Sequence, residues 1–99
     1  MIIKRNPLNH RETSFGFMEV LAEADGKPLV KFLHFARNGR SHSHDEWEVV
    51  RVTAGGGKIL VGEEVIEVRA GDTCRIPPHT SHWMEPDGTM DILISYFEE

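Results

Sequence analysis

The chain has 99 residues, eleven basic and sixteen acidic, for a net charge of −5, which leaves room for one core and no basic stripe to meet a nucleic-acid backbone. Its single cysteine, Cys74, excludes an intramolecular disulfide and a zinc–thiolate framework. No secretory h-region follows Met1 and no apolar run approaches the roughly 18 residues of a membrane span, so the expectation is one cytoplasmic domain over residues 1–99 with neither a nucleic-acid nor a membrane partner.

Turn signals recur at short intervals, and the segments between them are rich in β-branched and aromatic residues. Residues 13–21 precede Asp25-Gly26, an Asx-Gly pair that supplies the positive φ of a tight hairpin. Residues 28–36 follow, with Val30, Phe32 and Ala36 on one face and Leu33 and Phe35 on the other. Beyond Asn38-Gly39 come residues 46–53 and then Gly55-Gly56-Gly57. This triplet reads as a flexible hairpin turn, since no Lys-Ser or Lys-Thr follows to mark a phosphate loop. Residues 58–61 and 64–69 flank Gly62-Glu63, and 73–76 run between Gly71-Asp72 and Pro77-Pro78. In residues 90–97, after Asp87-Gly88, Met90, Ile92, Ile94 and Tyr96 share one face, and Asp91, Leu93, Ser95 and Phe97 the other. Segments this short, with no 3.6-residue period and no internal repeat, predict an all-β fold.

Four of the six histidines fall in two clusters, His42-Ser43-His44 and His79-Thr80-Ser81-His82. Imidazoles with one carboxylate are a usual ligand set for a divalent transition metal. On an extended chain His42, His44 and Glu48 share a face, and a turn at Asp45–Glu46 would still return Glu48 to the histidines. Glu46 has the same parity and is a rival. His82 must arrive from another strand. A lone His-x-His pair is more often a polar strand edge, but Glu48 and His82 in context reverse that reading.

These residues resemble the paired signature of the cupin superfamily, Gly-x5-His-x-His-x3,4-Glu-x6-Gly followed by Gly-x5-Pro-x-Gly-x2-His-x3-Asn. Here the pattern is His42-x-His44-x3-Glu48-x6-Gly55, then Gly71-x5-Pro77-x-His79-x2-His82. The 15 residues between Gly55 and Gly71 resemble the shortest inter-motif spacing of microbial cupins. The chain departs from the pattern at Ala36, where the opening glycine falls, at His79, in place of the glycine of Pro-x-Gly, and at Pro86, in place of the asparagine. The resemblance implies a single jelly-roll barrel of six to eight strands. It also implies His42, His44, Glu48 and His82 as ligands of one divalent ion: iron, manganese, nickel, zinc, cobalt or copper.

Other residues carry weaker signals. His79, after Pro77-Pro78, reads as an exposed turn residue, against a second base or substitute ligand. His34 reads equally as cavity lining or as a satisfied core histidine, and His10 carries no signal. Arg37 and Arg40 read as solvated loop residues, the alternative being a guanidinium clamp for a carboxylate substrate. Trp47 and Trp83 have the opposite parity to Glu48 and His82 and are expected outside the cavity. Tyr96 reads as a core or rim tyrosine, and Cys74 as a small buried hydrophobe.

The resemblance admits three functions. The first is a metal-dependent, dioxygenase-like oxidoreductase on a small molecule, with Glu48 able to act as a catalytic base. The second is an isomerase or lyase for a sugar or keto acid. The third is a non-catalytic sensor or metal-binding barrel. A homodimer is also expected, because Leu33, Phe35, Leu93 and Phe97 form a second apolar set that one barrel interior cannot hold. The alternative cover for that set is the segment 1–11 of the same chain.

Overall fold

The computed structural model describes residues 2–98; Met1 and Glu99, the ends of the expected domain, lie outside them. A 3-10 turn, Pro7–Asn9, leads into seven strands: β1 (His10–Glu12), β2 (Gly16–Ala24), β3 (Lys27–Phe35), β4 (Trp47–Val61), β5 (Glu64–Arg69), β6 (Thr73–Ile76) and β7 (His82–Phe97). They form one antiparallel sheet in the order β1-β2-β3-β7-β4-β5, with β6 also paired to β4, which curls into an all-β jelly roll. Asp25 and Gly26 both take positive φ and close the β2–β3 hairpin as their Asx-Gly signal predicts. Among the described residues no helix is long and apolar enough to cross a membrane.

The architecture depends on β4 and β7, which pair along nearly their whole length. In that register Glu48 lies opposite Tyr96 at one end and Val61 opposite His82 at the other. A straight strand would separate Glu48 from Val61 by about 40 Å. Yet His82 Nε2 lies 2.9 Å from Glu48 Oε2. The two-stranded ribbon therefore folds back on itself, and the fold occurs where the register shifts, between Val52 and Ala54 and between Gly55 and Gly57.

This corrects the reading of Gly55-Gly56-Gly57 as a hairpin turn, and with it the expected break between residues 53 and 58. The glycines lie inside β4, where a Cβ on Gly55 would stand 2.1 Å from the Thr89 carbonyl oxygen and one on Gly57 2.2 Å from that of Glu85. Gly55 and Gly57 are there because the β7 backbone comes too close for any side chain, and Gly56 because the Val68 carbonyl of β5 does. Asp87-Gly88 likewise lies inside β7 rather than between strands.

The interior is lined by Leu33, Phe35, Val50, Val52, Ile59, Ile76, Met84, Met90, Ile92 and Ile94, all buried. Each fully buried aliphatic side chain contributes about 1.5–3 kcal/mol. Cross-strand register puts Met18, Leu33 and Ile92 on this inner face and Glu19, Phe32 and Leu93 on the outer one. Leu33 and Phe35 are thus barrel core, not part of an outer apolar set as expected. Alternation separated the two faces of residues 28–36 correctly, but both faces are apolar, so nothing local marked which one turns inward.

The N-terminal segment is anchored on the outer face of β2, where it covers Glu19 and packs on Phe17 but does not reach Phe97. Glu19, only 6% exposed, accepts hydrogen bonds from both Nε and Nη2 of Arg5, and its Oε1 lies 3.0 Å from His10 Nδ1. Ile2, Ile3 and Leu8 remain exposed, as does Phe97. His10, which carried no signal in the sequence, is therefore part of an ionic anchor.

Two predictions follow from these features. Gly55→Ala forces the β7 backbone aside and should lower stability by about 1–3 kcal/mol, read as the midpoint of urea unfolding; an unchanged midpoint would refute the close approach. The second concerns pH. Hydrogen bonds from Arg5 and then His10 lower the Glu19 carboxyl from 4.5 to about 2, while the Glu19 and Glu12 carboxylates raise His10 above 6.5. The Glu19 contribution is present above its unfolded pKa and is lost as pH falls through the window from 4.5 to about 2. The His10 contribution is present below 6.5 and is lost as pH rises through its raised value. Wild type should therefore melt above Glu19→Gln by the widest margin between roughly pH 5 and 6.5, and that margin should close by about pH 2. A margin independent of pH would show that the anchor is not ionic.

Candidate metal centre

His42 and His44 lie in the loop between β3 and β4, where His42 pairs with His82 as an isolated antiparallel bridge, N–H to carbonyl in both directions. A bend at Asp45–Glu46 then turns the chain so that Glu48, the second residue of β4, points inward. His82 opens β7. One donor atom from each of His42, His44, Glu48 and His82 lies within 4.8 Å of the other three. Glu48 and His82 are fully buried, His44 is half-buried and His42 reaches solvent. The four residues singled out in the sequence are thus brought together, and Glu46 and His79 are not among them.

The imidazoles are oriented by the backbone. Nδ1 of His42 donates to the Arg40 carbonyl (3.0 Å), Nδ1 of His44 to that of Glu46 (3.2 Å), and Nδ1 of His82 to that of Thr80 (2.8 Å). An Nδ1 that carries the proton leaves Nε2 with its lone pair, the tautomer a cation requires. His44 Nε2 lies 3.1 Å from Glu48 Oε1 and His82 Nε2 2.9 Å from Glu48 Oε2, yet none of these four buried atoms makes a hydrogen bond of acceptable geometry. They converge on a common point instead of pairing off.

A carboxylate with no exposed surface is costly unless a positive charge compensates it. Burial pushes the Glu48 pKa up, but contact with His82 and His44 outweighs burial and leaves it lowered. For His82 burial favours the neutral ring, and Glu48 together with the Thr80 carbonyl outweighs that to raise its pKa. The two shifts favour a Glu48 carboxylate beside a protonated His82, and a cation would take the place of that proton; three imidazoles with one carboxylate suit a divalent transition ion.

The cluster opens onto a cavity of about 300 Å³ that Glu48 and His42 share with a mostly apolar wall, including Phe15, Met18, Leu33 and Phe35. Tyr96 lies edge-on to His44, and burial, then Glu48 and Glu46, keep its phenol neutral by raising its pKa. Two cations line the same cavity, Lys31 and Arg40. Arg40 is exposed, as its reading as a solvated loop residue expects, and stands at the edge of the cavity; Lys31 was not singled out, although its parity with Leu33 would have placed it inside once the inner face was known. Trp83, expected outside, also lines the cavity. Its end of β7 pairs with β4 on one side and is flanked on the other by the loop that carries Gly39 and His42 rather than by β3.

The remaining residues fall outside the site. His34 is on the outer face, bonded through Nδ1 to Asp91 and stacked on Phe17. Arg37 Nε donates to the Ser14 carbonyl. Trp47 packs beneath the Arg75 guanidinium. Cys74 is buried and its thiol pKa is pushed up by that burial and by Glu48 and Glu64, which makes it an inert core residue. His79 is exposed and takes φ +58°, so the left-handed turn persists where the motif has glycine.

Solved structures share this barrel. A cupin protein from Bacteroides fragilis is 27% identical over 70% of this chain and 64% of its own, with a TM-score of 0.65. A cupin-2 domain containing protein from Shewanella frigidimarina is 26% identical over 78% and 76%, with a TM-score of 0.67. A predicted oxalate decarboxylase from Thermotoga maritima covers 98% of this chain and 100% of its own at 16% identity, with a TM-score of 0.77, and shows the fold alone. The chain spans less than two thirds of the Bacteroides fragilis protein. No curated protein matches the chain. The Cupin domain family matches residues 31–96, which include all four clustered residues, the whole of β4, β5 and β6 and parts of β3 and β7, and the chain belongs to the cupin superfamily.

Proposed function

We propose that the barrel binds one divalent transition metal through His42, His44, Glu48 and His82 and acts on a small molecule in the adjoining cavity, as a dioxygenase-like oxidoreductase. The observation that supports this most is the convergence of one donor atom from each of these four residues, with the imidazole tautomers already set by the backbone and the facing atoms of His44, Glu48 and His82 left without a hydrogen bond. A bound ion would supply Lewis-acid and, if redox-active, one-electron chemistry to a chelating substrate. The chain contributes the rest. The apolar wall excludes water, Tyr96 offers a neutral O–H donor, and Glu48 holds a second oxygen that can take a proton from a substrate carbon or hydroxyl. A sensor barrel or a sugar or keto-acid isomerase would use the same four ligands.

Metal analysis of protein purified without an affinity tag tests the ligand set. About one divalent ion per chain is expected, lost in His44→Ala and in His82→Ala. His79→Gly should keep the ion and gain about 1 kcal/mol of stability by relieving the left-handed turn. Equal metal content in wild type and in the His42→Ala/His44→Ala double variant would overturn the reading. Oxygen consumption by the loaded protein against diketones and phenolics then separates catalysis from sensing. Turnover beyond one equivalent supports the oxygenase, while a tightly held, unmodified metabolite supports the sensor.

The outer face supports a second proposal, a homodimer. Phe97 is exposed, Val30, Phe32 and Leu93 are half-buried beside it, and the anchored N-terminal segment leaves Phe97 uncovered. The same face carries both signs of charge, with Arg51 in register with Leu93 and Asp91 with His34, which suits a self-complementary two-fold contact. Light scattering at micromolar concentration should give twice the 11.2 kDa of one chain. A monomer mass unchanged on tenfold concentration would overturn the dimer.

A further inference from the structure

The cavity beside the metal cluster has a charge pattern that its surroundings do not explain. The chain is acidic overall, at −5, yet the charged side chains lining the cavity are Lys31, Arg40 and Glu48. Two cations face one carboxylate, and that carboxylate belongs to the metal cluster.

Lys31 is the more telling of the two. It sits on the inner face of β3, in register with Val20 on one side and Ile94 on the other, where a barrel ordinarily places an aliphatic side chain. Its Nζ lies over the Tyr96 ring, 5.2 Å from the centroid, and Tyr96 in turn packs against His44. Among the described residues no carboxylate forms an ion pair with Lys31 or with Arg40. Arg40 is adjacent to the cluster by another route, because its own carbonyl holds Nδ1 of His42. The two cations thus line the same cavity as Glu48 and His42, Lys31 half-buried on the wall and Arg40 exposed at the edge. A cation on a half-buried inner position is costly unless a partner offsets the loss of hydration, and no described side chain here does so as an anion.

The rest of the wall describes the remainder of the ligand. Phe15 and Phe35 stack with centroids 4.4 Å apart, and Met18, Leu33 and Trp83 line the same space. A volume of about 300 Å³ is at the small end of ligand sites. We infer that the cavity takes a small amphipathic carboxylate, its apolar or aromatic body against Phe15, Leu33 and Phe35 and its anionic group on Lys31 and Arg40. This rests on the reading of the barrel as a small-molecule site beside a metal, but the anion contacts belong to the chain and need no ion to form.

Calorimetric titration with phenylacetate, phenylacetamide and acetate tests the inference, on metal-loaded and on chelator-treated protein, with thermal melting of each variant as the folding control. Phenylacetate should bind both forms and exceed the neutral amide and the bodiless acetate by about tenfold or more. Lys31→Met and Arg40→Gln should each weaken phenylacetate by about tenfold and leave phenylacetamide unchanged. Both variants should hold as much metal as wild type. Lys31→Gln replaces Lys31→Met should the latter melt early.

Equal affinity for acid and amide overturns the inference, and so does phenylacetate binding that requires the metal and ignores both substitutions. The two readings fail separately. Protein that takes no metal but still prefers the acid through Lys31 and Arg40 sinks the metal reading and keeps this one. Protein that loads metal and shows no such preference does the reverse.

Discussion

A single bend in a two-stranded ribbon places the site. β4 and β7 run antiparallel for about fourteen residues, and their register puts Glu48 and His82 at opposite ends. Only because the ribbon doubles back do these two side chains meet. The bend requires backbone closer than a Cβ allows, and Gly55 and Gly57 provide it against Thr89 and Glu85. Everything near the site inherits this closure. The half of β4 that carries Glu48 also pairs with β6, while the half beyond the glycines pairs with β5, so one strand contributes to both walls of the barrel.

Once the ends meet, local backbone sets the chemistry. Each clustered histidine gives its Nδ1 proton to a carbonyl two residues away in sequence, so the ring orientations are settled by short loops and not by distant packing. Glu48 is held in the opposite manner. It sits on a paired strand with no exposed surface, and its negative charge survives only because imidazoles face it. Histidines oriented by neighbouring carbonyls and a carboxylate held on a paired strand thus meet in one cluster from separate parts of the chain.

Much of this was legible in the sequence, for identifiable reasons. The short apolar segments, the Asx-Gly hairpin at Asp25-Gly26 and the spacing of His42, His44, Glu48 and His82 are local signals, and local signals survive folding. Losses occurred where the information is not local. Three consecutive glycines resemble a turn from within the sequence, and only the proximity of β7 shows that they are a close-packed bend. The two faces of β3 are both apolar, so the inward placement of Leu33 and Phe35 awaited the partner strands, and Lys31 followed them inside. Trp83 lines the cavity at the end of β7 where a loop, rather than β3, flanks the strand. His10 was silent since its partner, Glu19, is defined by the β1–β2 register rather than by any motif.

His79 shows how a departure from the family motif can persist beside a site. Its φ of +58° is a conformation that glycine adopts freely and a branched-β-carbon or ring-bearing residue resists. The strain is retained with a visible geometric effect: in this conformation the His79 N–H donates to the His44 carbonyl at 2.8 Å. A second strap, Gly62 N–H to the Ser81 carbonyl, holds the other side of the same connection. The first ties the segment leading to His82 to the loop bearing His44 and the second ties it to the β4–β5 turn, so that two candidate ligands from distant parts of the chain share one backbone frame. The imidazole of His79 itself faces Asp45 in solvent. What the site requires at this position is the backbone geometry, and the side chain is incidental to it.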